Sequence, residues 1–451
     1  MRSRLLPVVL ISTAVVTLLA AALLTVGKDD DSAQAGQSTA GQSTAKRPAV
    51  ETATVGTSGR DSLTSAIAAA QVRLRTLPKD YQTWAQLGSA YVQQARVTGD
   101  PSYYPKAQGA LEQSLQLKPA DNVAAMIGQG SLANARHEFS QARDWGRKAT
   151  AANPYQAGGY GVLADALTQL GDYSGADAAI QKMLDLQPGL ASFSRASYAF
   201  EERGQTSQAR DSMKRALAEA TDPADVGFCR YYLGELDFNS GDPKAAMEQY
   251  RLGLLAAPNS DPLLAGRAKA EAALGRTDAA VTDYAEVVAR LPLPEYVLEY
   301  AQLLTSLGRA DEAKAQFTLL TSIQQLFTAN GVVDDLTSAI VEADYGSPTE
   351  AVQHARAEWA RRHSVLVADS LGWALHRAGQ DKEALTYAVK ANQLGWHNAT
   401  FAYHLGMIEL ALGRRDAARG HLSTALRTNP HFDRVQAPKA TAALNSLGGP
   451  R

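Results

Sequence analysis

The chain has 451 residues, of which 45 % are hydrophobic and 20 % are charged, and its formal net charge is −2. This content is sufficient for a large buried core, and the balanced charge argues against a nucleic-acid-binding protein, which carries a basic excess. A single cysteine, Cys229, excludes an internal disulfide and is expected to fill space in the core.

The amino terminus carries a long apolar segment. Arg2 and Arg4 precede 23 uncharged residues from Leu5 to Gly27. At about 1.5 Å per residue, a helix of this length crosses a hydrocarbon core of about 30 Å. A cleaved signal peptide has a shorter apolar core, and the arginines favour a cytoplasmic amino terminus. Residues 1–27 are therefore predicted to be a single-pass signal anchor of the cytoplasmic membrane with the rest of the chain outside; secretion after cleavage is the alternative.

Two shorter segments follow the apolar one. Residues 28–60 consist mainly of Ala, Gly, Gln, Ser and Thr, and this composition predicts a flexible linker with an rms reach of roughly 30 Å. Residues 61–79 are predicted to form a capping helix, because Asp61 or Ser62 can accept a helix-capping hydrogen bond and Pro78 ends the helical pattern.

The remainder of the chain is repetitive. Alanine recurs at intervals of 33 to 38 residues, at Ala107, Ala142, Ala176, Ala209, Ala246, Ala280, Ala313, Ala351, Ala384 and Ala418. In the later units a glycine precedes this alanine by five residues, where a turn needs a positive φ. In six units a proline follows the alanine by twelve residues and ends the second helix. Each unit is therefore predicted to be helix, turn, helix and stop.

One unit contains a complete repeat motif in its first helix. Trp84, Leu87, Gly88 and Tyr91 have the spacing W-x2-L-G-x2-Y, and the period is close to 34 residues. From Asp80 to Phe432, about three quarters of its length, the chain resembles tetratricopeptide-repeat proteins. This resemblance implies an all-α, right-handed α-solenoid of about ten helix-turn-helix repeats over residues 80–432. Residues 433–451 are expected to add a short capping helix, opened by Pro438, and a tail.

A closer resemblance concerns two short stretches. Gly189-Leu-Ala-Ser-Phe and Asn429-Pro-His-Phe, in an Arg- and Ala-rich chain, look like exported tetratricopeptide proteins of actinobacterial type. That group implies a membrane-anchored protein and brings no settled biochemical role.

The partner-binding face is predicted from the first helices. In tetratricopeptide families the places that packing leaves free line the concave groove, and here those places are more acidic than basic and include aromatic residues. The alternative reading is a solvated face with some core aromatic residues. The candidate partner-binding residues are Tyr198, Glu201, Glu202, Phe228, Tyr231, Glu235, Trp373, His376 and Tyr403.

Motifs for chemistry are missing from the sequence. It has no phosphate-binding glycine loop and no zinc-protease motif, and its histidines have irregular spacing. We therefore predict no enzyme, no catalytic residue, no cofactor and no metal. The expected function is a membrane-tethered, extracytoplasmic protein-binding scaffold whose partner is a protein or peptide with a basic segment. A secreted or periplasmic carrier of a small molecule or glycan, and an accessory subunit of an envelope enzyme complex, remain as alternatives.

Overall fold

The computed structural model describes residues 58–449, and this part of the chain is entirely helical. The predicted anchor at 1–27 and the predicted linker as far as residue 57 lie outside the described residues. Within 58–449 no helix combines the length and the hydropathy that crossing a bilayer requires.

Twenty of the helices form ten consecutive antiparallel pairs, so the predicted all-α solenoid of about ten units is confirmed. The pairs are α2 (Tyr81–Thr98) with α3 (Tyr103–Leu117), α4 (Val123–Ala135) with α5 (Phe139–Ala152), α6 (Ala157–Leu170) with α7 (Tyr173–Leu186), α8 (Leu190–Glu202) with α9 (Thr206–Glu219), α10 (Pro223–Asn239) with α11 (Pro243–Ala256), α12 (Asp261–Ala273) with α13 (Thr277–Arg290), α14 (Pro294–Ser306) with α15 (Ala310–Ala329), α16 (Asp335–Tyr345) with α17 (Pro348–Arg361), α18 (Val365–Arg377) with α19 (Asp381–Ala391), and α20 (Ala399–Ala411) with α21 (Arg415–Thr428).

The periodic alanines mark the closest helix contacts. Every one of the ten lies on the second helix of its pair and is at most 4 % exposed. A methyl side chain lets two helix backbones approach, and larger apolar residues fill the space towards the next pair. The repeat spacing therefore gives the second helix of every pair one buried small residue.

The turn within most pairs contains one left-handed residue. Seven of the eight glycines placed there by the sequence pattern have positive φ, between 68° and 83°. Gly346 is the exception, with φ of −124°. In the second pair His137 takes the left-handed conformation at φ 62°, so that turn forms without glycine.

A further helix lies at each end of the stack. α1 (Ser58–Thr76) packs on α2 and begins before the expected caps Asp61 and Ser62, so residues 58–60 are helical rather than part of the linker. α22 (Gln436–Ser446) packs on α21 and begins two residues before Pro438. Proline is tolerated there because the first N–H groups of a helix have no intrahelical acceptor.

The solenoid curves so strongly that its second superhelical turn packs on its first. The side chain of Arg362 donates to Gln169, 193 residues earlier in the sequence. The backbone N–H of Val365 donates to the hydroxyl of Tyr173 at 2.8 Å, a separation of 192 residues. One superhelical turn therefore takes between five and six units of about 34 residues.

The same contact continues along several successive units, and we call it the turn seam. Gly171 lies against the carbonyl of His363, Gly204 against the carbonyl of Gly395, and Gly241 against the carbonyl of Thr428. The turns within the early pairs thus rest on the connections between late pairs. The seam closes the space inside the superhelix into a cavity.

Candidate functional site

The candidate site is the cavity between the two superhelical turns. It has a volume of about 80 Å³ and is partly open to solvent. One wall comes from first helices α8, α10, α12 and α14, and the other comes from the connection between α19 and α20, with Phe432 at its edge. Three carboxylates and one ammonium group line it: Glu201, Glu235, Glu299 and Lys269.

Glu235 and Lys269 form the central ion pair. The Lys269 Nζ lies 2.8 and 2.6 Å from the two carboxylate oxygens of Glu235, and the hydroxyl of Tyr250 donates to the same carboxylate at 2.6 Å. Burial disfavours the charge on Lys269, but Glu235 and Glu299 outweigh that effect and raise the pKa of the ammonium. Lys269 therefore stays charged and neutralises one of the three carboxylates.

Among the residues that the structure describes, the hydrogen-bond donors of Glu201 are neutral. Asn239 Nδ2 donates to its Oε1 at 3.1 Å, and Trp396 supplies a second hydrogen bond. Burial raises the pKa of Glu201 to about 7, the two hydrogen bonds oppose that rise, and Glu235 adds to it. A raised pKa is expected for a half-buried carboxylate that lies near a second carboxylate and has no cationic neighbour.

Glu299 has a similar environment. The hydroxyl of Tyr284 donates to its Oε2 at 2.9 Å. Burial, only partly offset by Lys269, raises its pKa, and Glu235 adds to the rise. Glu201 and Glu299 are therefore the two carboxylates of the cavity whose charge is least compensated.

Aromatic rings form much of the remaining wall. Tyr198 meets Trp396 edge to face with ring centroids 6.1 Å apart, and this contact crosses the turn seam. The ammonium of Lys269 lies 5.1 Å from the ring centroid of Phe238. Tyr232 and Phe432 complete the aromatic lining.

The structure divides the predicted residues of units four and five. Tyr198, Glu201 and Glu235 line the cavity. Phe228 and Tyr231 are half-buried and pack against Tyr232, outside the cavity lining.

Glu202 is not on a free face. It is 2 % exposed, and burial raises its pKa to about 8, with an opposing contribution from Arg203. The hydroxyl of Tyr198 donates to the carboxylate of Glu202, and Tyr173 and Arg203 lie close to it. A partner outside the solenoid does not reach this carboxylate in this conformation.

Of the predicted carboxy-terminal residues, Trp373 and Tyr403 lie in the core and His376 is half-buried. Trp373 is 2 % exposed and Tyr403 is 1 % exposed, and their ring centroids lie 5.7 Å apart. Trp373 Nε1 donates to Asp344 at 3.0 Å, and His376 pairs with Asp381 at 2.5 Å. α18 and α20 are buried along most of their length, so a groove pattern based on free places of the first helix does not apply to them.

Glu299 and Trp396 are two of the cavity residues that were absent from the predicted set. Glu299 is the sixth residue of α14 and is not among the candidate partner-binding residues. Trp396 lies between α19 and α20, and only the closure of the superhelix brings it to Tyr198. The excess of acidic over basic residues on the first helices was the sequence signal that pointed to this region.

Residues 157–189 match the tetratricopeptide repeat. They cover α6, α7 and the glycine turn between them, which is one helix pair of the solenoid. The chain carries a tetratricopeptide repeat. The other nine pairs share its helix-turn-helix architecture, so the fold is a tetratricopeptide-type solenoid.

Several solved structures are similar to the chain. A thermophilic tetratricopeptide-repeat protein of Thermus thermophilus is 23 % identical, with 42 % of this chain and 98 % of the other covered and a TM-score of 0.37. The human IFIT1 dimer with PPP-AAAA is 13 % identical, with 82 % and 87 % covered and a TM-score of 0.44. A tetratricopeptide repeat protein from Parabacteroides merdae is 18 % identical, with 58 % and 99 % covered and a TM-score of 0.35. No curated protein matches the chain.

Proposed function

We propose that the protein is a protein-binding scaffold that is tethered outside the cytoplasmic membrane and recognises a basic segment of its partner. The observation that carries the proposal is the inner cavity, where three carboxylates face one ammonium group among aromatic rings. Tetratricopeptide solenoids are typically binding proteins without catalysis, and the proposal assigns this chain no reaction.

The tether is proposed from the sequence alone. Residues 1–27 supply an apolar segment of sufficient length, and Arg2 and Arg4 favour a cytoplasmic amino terminus. A reporter fused after Arg451 is expected to be active only outside the cytoplasm, and the full chain to sediment with membranes through an alkaline wash. Recovery of a soluble chain with a new amino terminus near Ala22 would contradict the tether and show that the protein is secreted after cleavage.

The basic partner is proposed from the charge of the cavity. Lys269 compensates Glu235, which leaves Glu201 and Glu299 to attract a cationic group. Carboxylates next to aromatic anchors favour a partner of complementary charge and also increase its association rate.

Affinity capture from detergent-solubilised envelope, using the full chain as bait, tests the proposal. A partner captured by the wild type is expected to be lost from a Glu201→Lys bait. Glu286→Lys is the matched control. Glu286 is exposed on α13, so this substitution makes the same change of charge away from the cavity. Equal capture by both variants would place the binding surface elsewhere on the solenoid.

A further inference from the structure

We infer that the inner cavity binds one organic cation, a primary ammonium or guanidinium group, through Glu201 and Glu299, which both line it. The inference rests on the proposed function and deepens it, since it names the chemical group that the cavity recognises. The shared chemistry has two sources, a lysine or arginine side chain of a protein and a free small amine, and the experiment below separates them.

The charges that line the cavity are out of balance, with three carboxylates and one ammonium group. Lys269 contacts both carboxylate oxygens of Glu235, so its ammonium is committed to that partner. Within residues 62–449 Glu201 and Glu299 take part in no ion pair. A cation entering the cavity supplies the compensation that these two carboxylates lack, whereas an anion meets repulsion.

The carboxylates of Glu201 and Glu299 have unused capacity to accept hydrogen bonds. An ionised carboxylate has about four acceptor sites. Glu201 receives hydrogen bonds from Asn239 and Trp396, and Glu299 receives one from Tyr284. Each carboxylate can therefore accept further N–H groups. An ammonium group has about three such donors and a guanidinium group has about five.

The aromatic rings that line the cavity also favour a cation. Cations are attracted to the faces of aromatic rings within about 6 Å of the centroid. The cavity already holds one cation in this way, because the ammonium of Lys269 lies 5.1 Å from the ring of Phe238. Tyr232 and Trp396 also line the cavity, within the space open to a second cation. An uncharged sugar can donate hydrogen bonds to the carboxylates but brings no positive charge to compensate them.

The test is isothermal titration of the full chain in detergent with three probes. These are the capped pentapeptide Ala-Ala-Lys-Ala-Ala, the same peptide with its lysine Nε-acetylated, and butylammonium. We expect binding of at least one amine probe and at least a tenfold loss for the acetylated peptide. Tighter binding of the lysine peptide identifies a protein side chain as the source, and equal binding identifies a free amine.

Matched variants locate the binding. Glu201→Gln combined with Glu299→Gln keeps the shape of the cavity and is expected to weaken the amine at least tenfold, with the helical circular-dichroism spectrum unchanged. Glu286→Gln combined with Glu312→Gln removes two exposed carboxylates and is expected to leave the affinity unchanged. Each single substitution, with an expected weakening of about threefold or more, provides the same answer if the double variant does not fold.

Acidity supplies an independent readout. Protonation of Glu201 removes one of the two binding charges, so the affinity is expected to fall about tenfold between pH 8 and pH 6. The dependence is expected to become shallower in Glu201→Gln. The other titratable groups that face this carboxylate are Glu202 on α8, Tyr232 and Glu235 on α10, Lys269 on α12, Glu299 on α14, and His397 in the connection between α19 and α20.

Three results would overturn the inference: no heat from either amine at millimolar concentration, undiminished binding of the acetylated peptide, or full affinity in the cavity variants. These results are separate from the capture experiment. A chain that captures a partner but binds neither amine keeps the scaffold function and loses this inference. A chain that binds butylammonium but captures no protein keeps the inference and loses the scaffold function.

Discussion

Single buried side chains determine whether neighbouring helices fit together. Ala280 is fully buried on α13, whereas Thr282 is exposed on the same helix. We expect Ala280→Trp to lower the free energy of unfolding by about 1 to 3 kcal/mol, because overpacking forces the helices apart. Thr282→Ala is the control and is expected to cost less than about 0.5 kcal/mol. Thermal melting that shows equal effects for both would mean that the alanine does not mark a close contact.

A second residue-scale prediction concerns pH. Burial raises the pKa of Glu202 to about 8, so the folded state holds a proton there that the unfolded state has already released. Between the unfolded value near 4.5 and about 8, this group therefore makes stability fall as pH rises. We expect Glu202→Gln to remove that loss, so that its melting temperature relative to wild type increases from pH 5 to pH 8.

Glu248→Gln is the control for the pH series. Glu248 lies on the surface, and its hydrogen bond with Arg251 lowers its pKa. Its substitution is not expected to give a gain that grows with pH. A constant difference between Glu202→Gln and wild type across the series would show that Glu202 is ionised in the folded protein.

At the scale of the element, each pair depends on its turn and cap. Asp172 follows the left-handed Gly171 and accepts a hydrogen bond from the backbone N–H of Gly175 at 3.0 Å, which caps α7. We expect Asp172→Ala to destabilise the protein by about 1 kcal/mol in chemical denaturation. Asp172→Asn keeps an acceptor and is expected to stay close to wild type. Equal losses in the two variants would assign the effect to charge rather than to the cap.

The elements were predictable from the sequence because their determinants are local. The spacing of Ala107, Ala142 and their equivalents, together with the turn glycines, specifies a helix pair within about 34 residues. The left-handed His137 and the extended Gly346 depart from that pattern, and each pair still forms because packing fixes the turn. Composition and periodicity also placed the acidic region on α8 and α10.

The site itself was only half predictable, because it depends on curvature that accumulates over several units. Tyr198 and Trp396 meet across the turn seam although a complete superhelical turn separates them in the sequence. No local pattern encodes that distance. The same closure places Trp373 and Tyr403 in the core, where an open solenoid would have left them on a groove.

At the scale of the whole molecule, the packing of the second superhelical turn on the first depends on the turn seam. Gly171 and Gly204 have positive φ and lie directly against backbone carbonyls of the second turn, so a Cβ at either position would collide with His363 or Gly395. Gly275 and Gly308 have the same conformation with open space around them. Alanine costs about 1 to 2 kcal/mol of backbone strain at any such position, but only the first two positions add a clash across the seam.

Small-angle X-ray scattering of two double variants tests this claim most directly. We expect Gly171→Ala combined with Gly204→Ala to increase the radius of gyration, because the second superhelical turn must move away from the first. Gly275→Ala combined with Gly308→Ala is expected to keep the wild-type radius of gyration despite equal backbone strain. The same radius of gyration in wild type and both variants would contradict the packed seam, and with it the enclosed cavity.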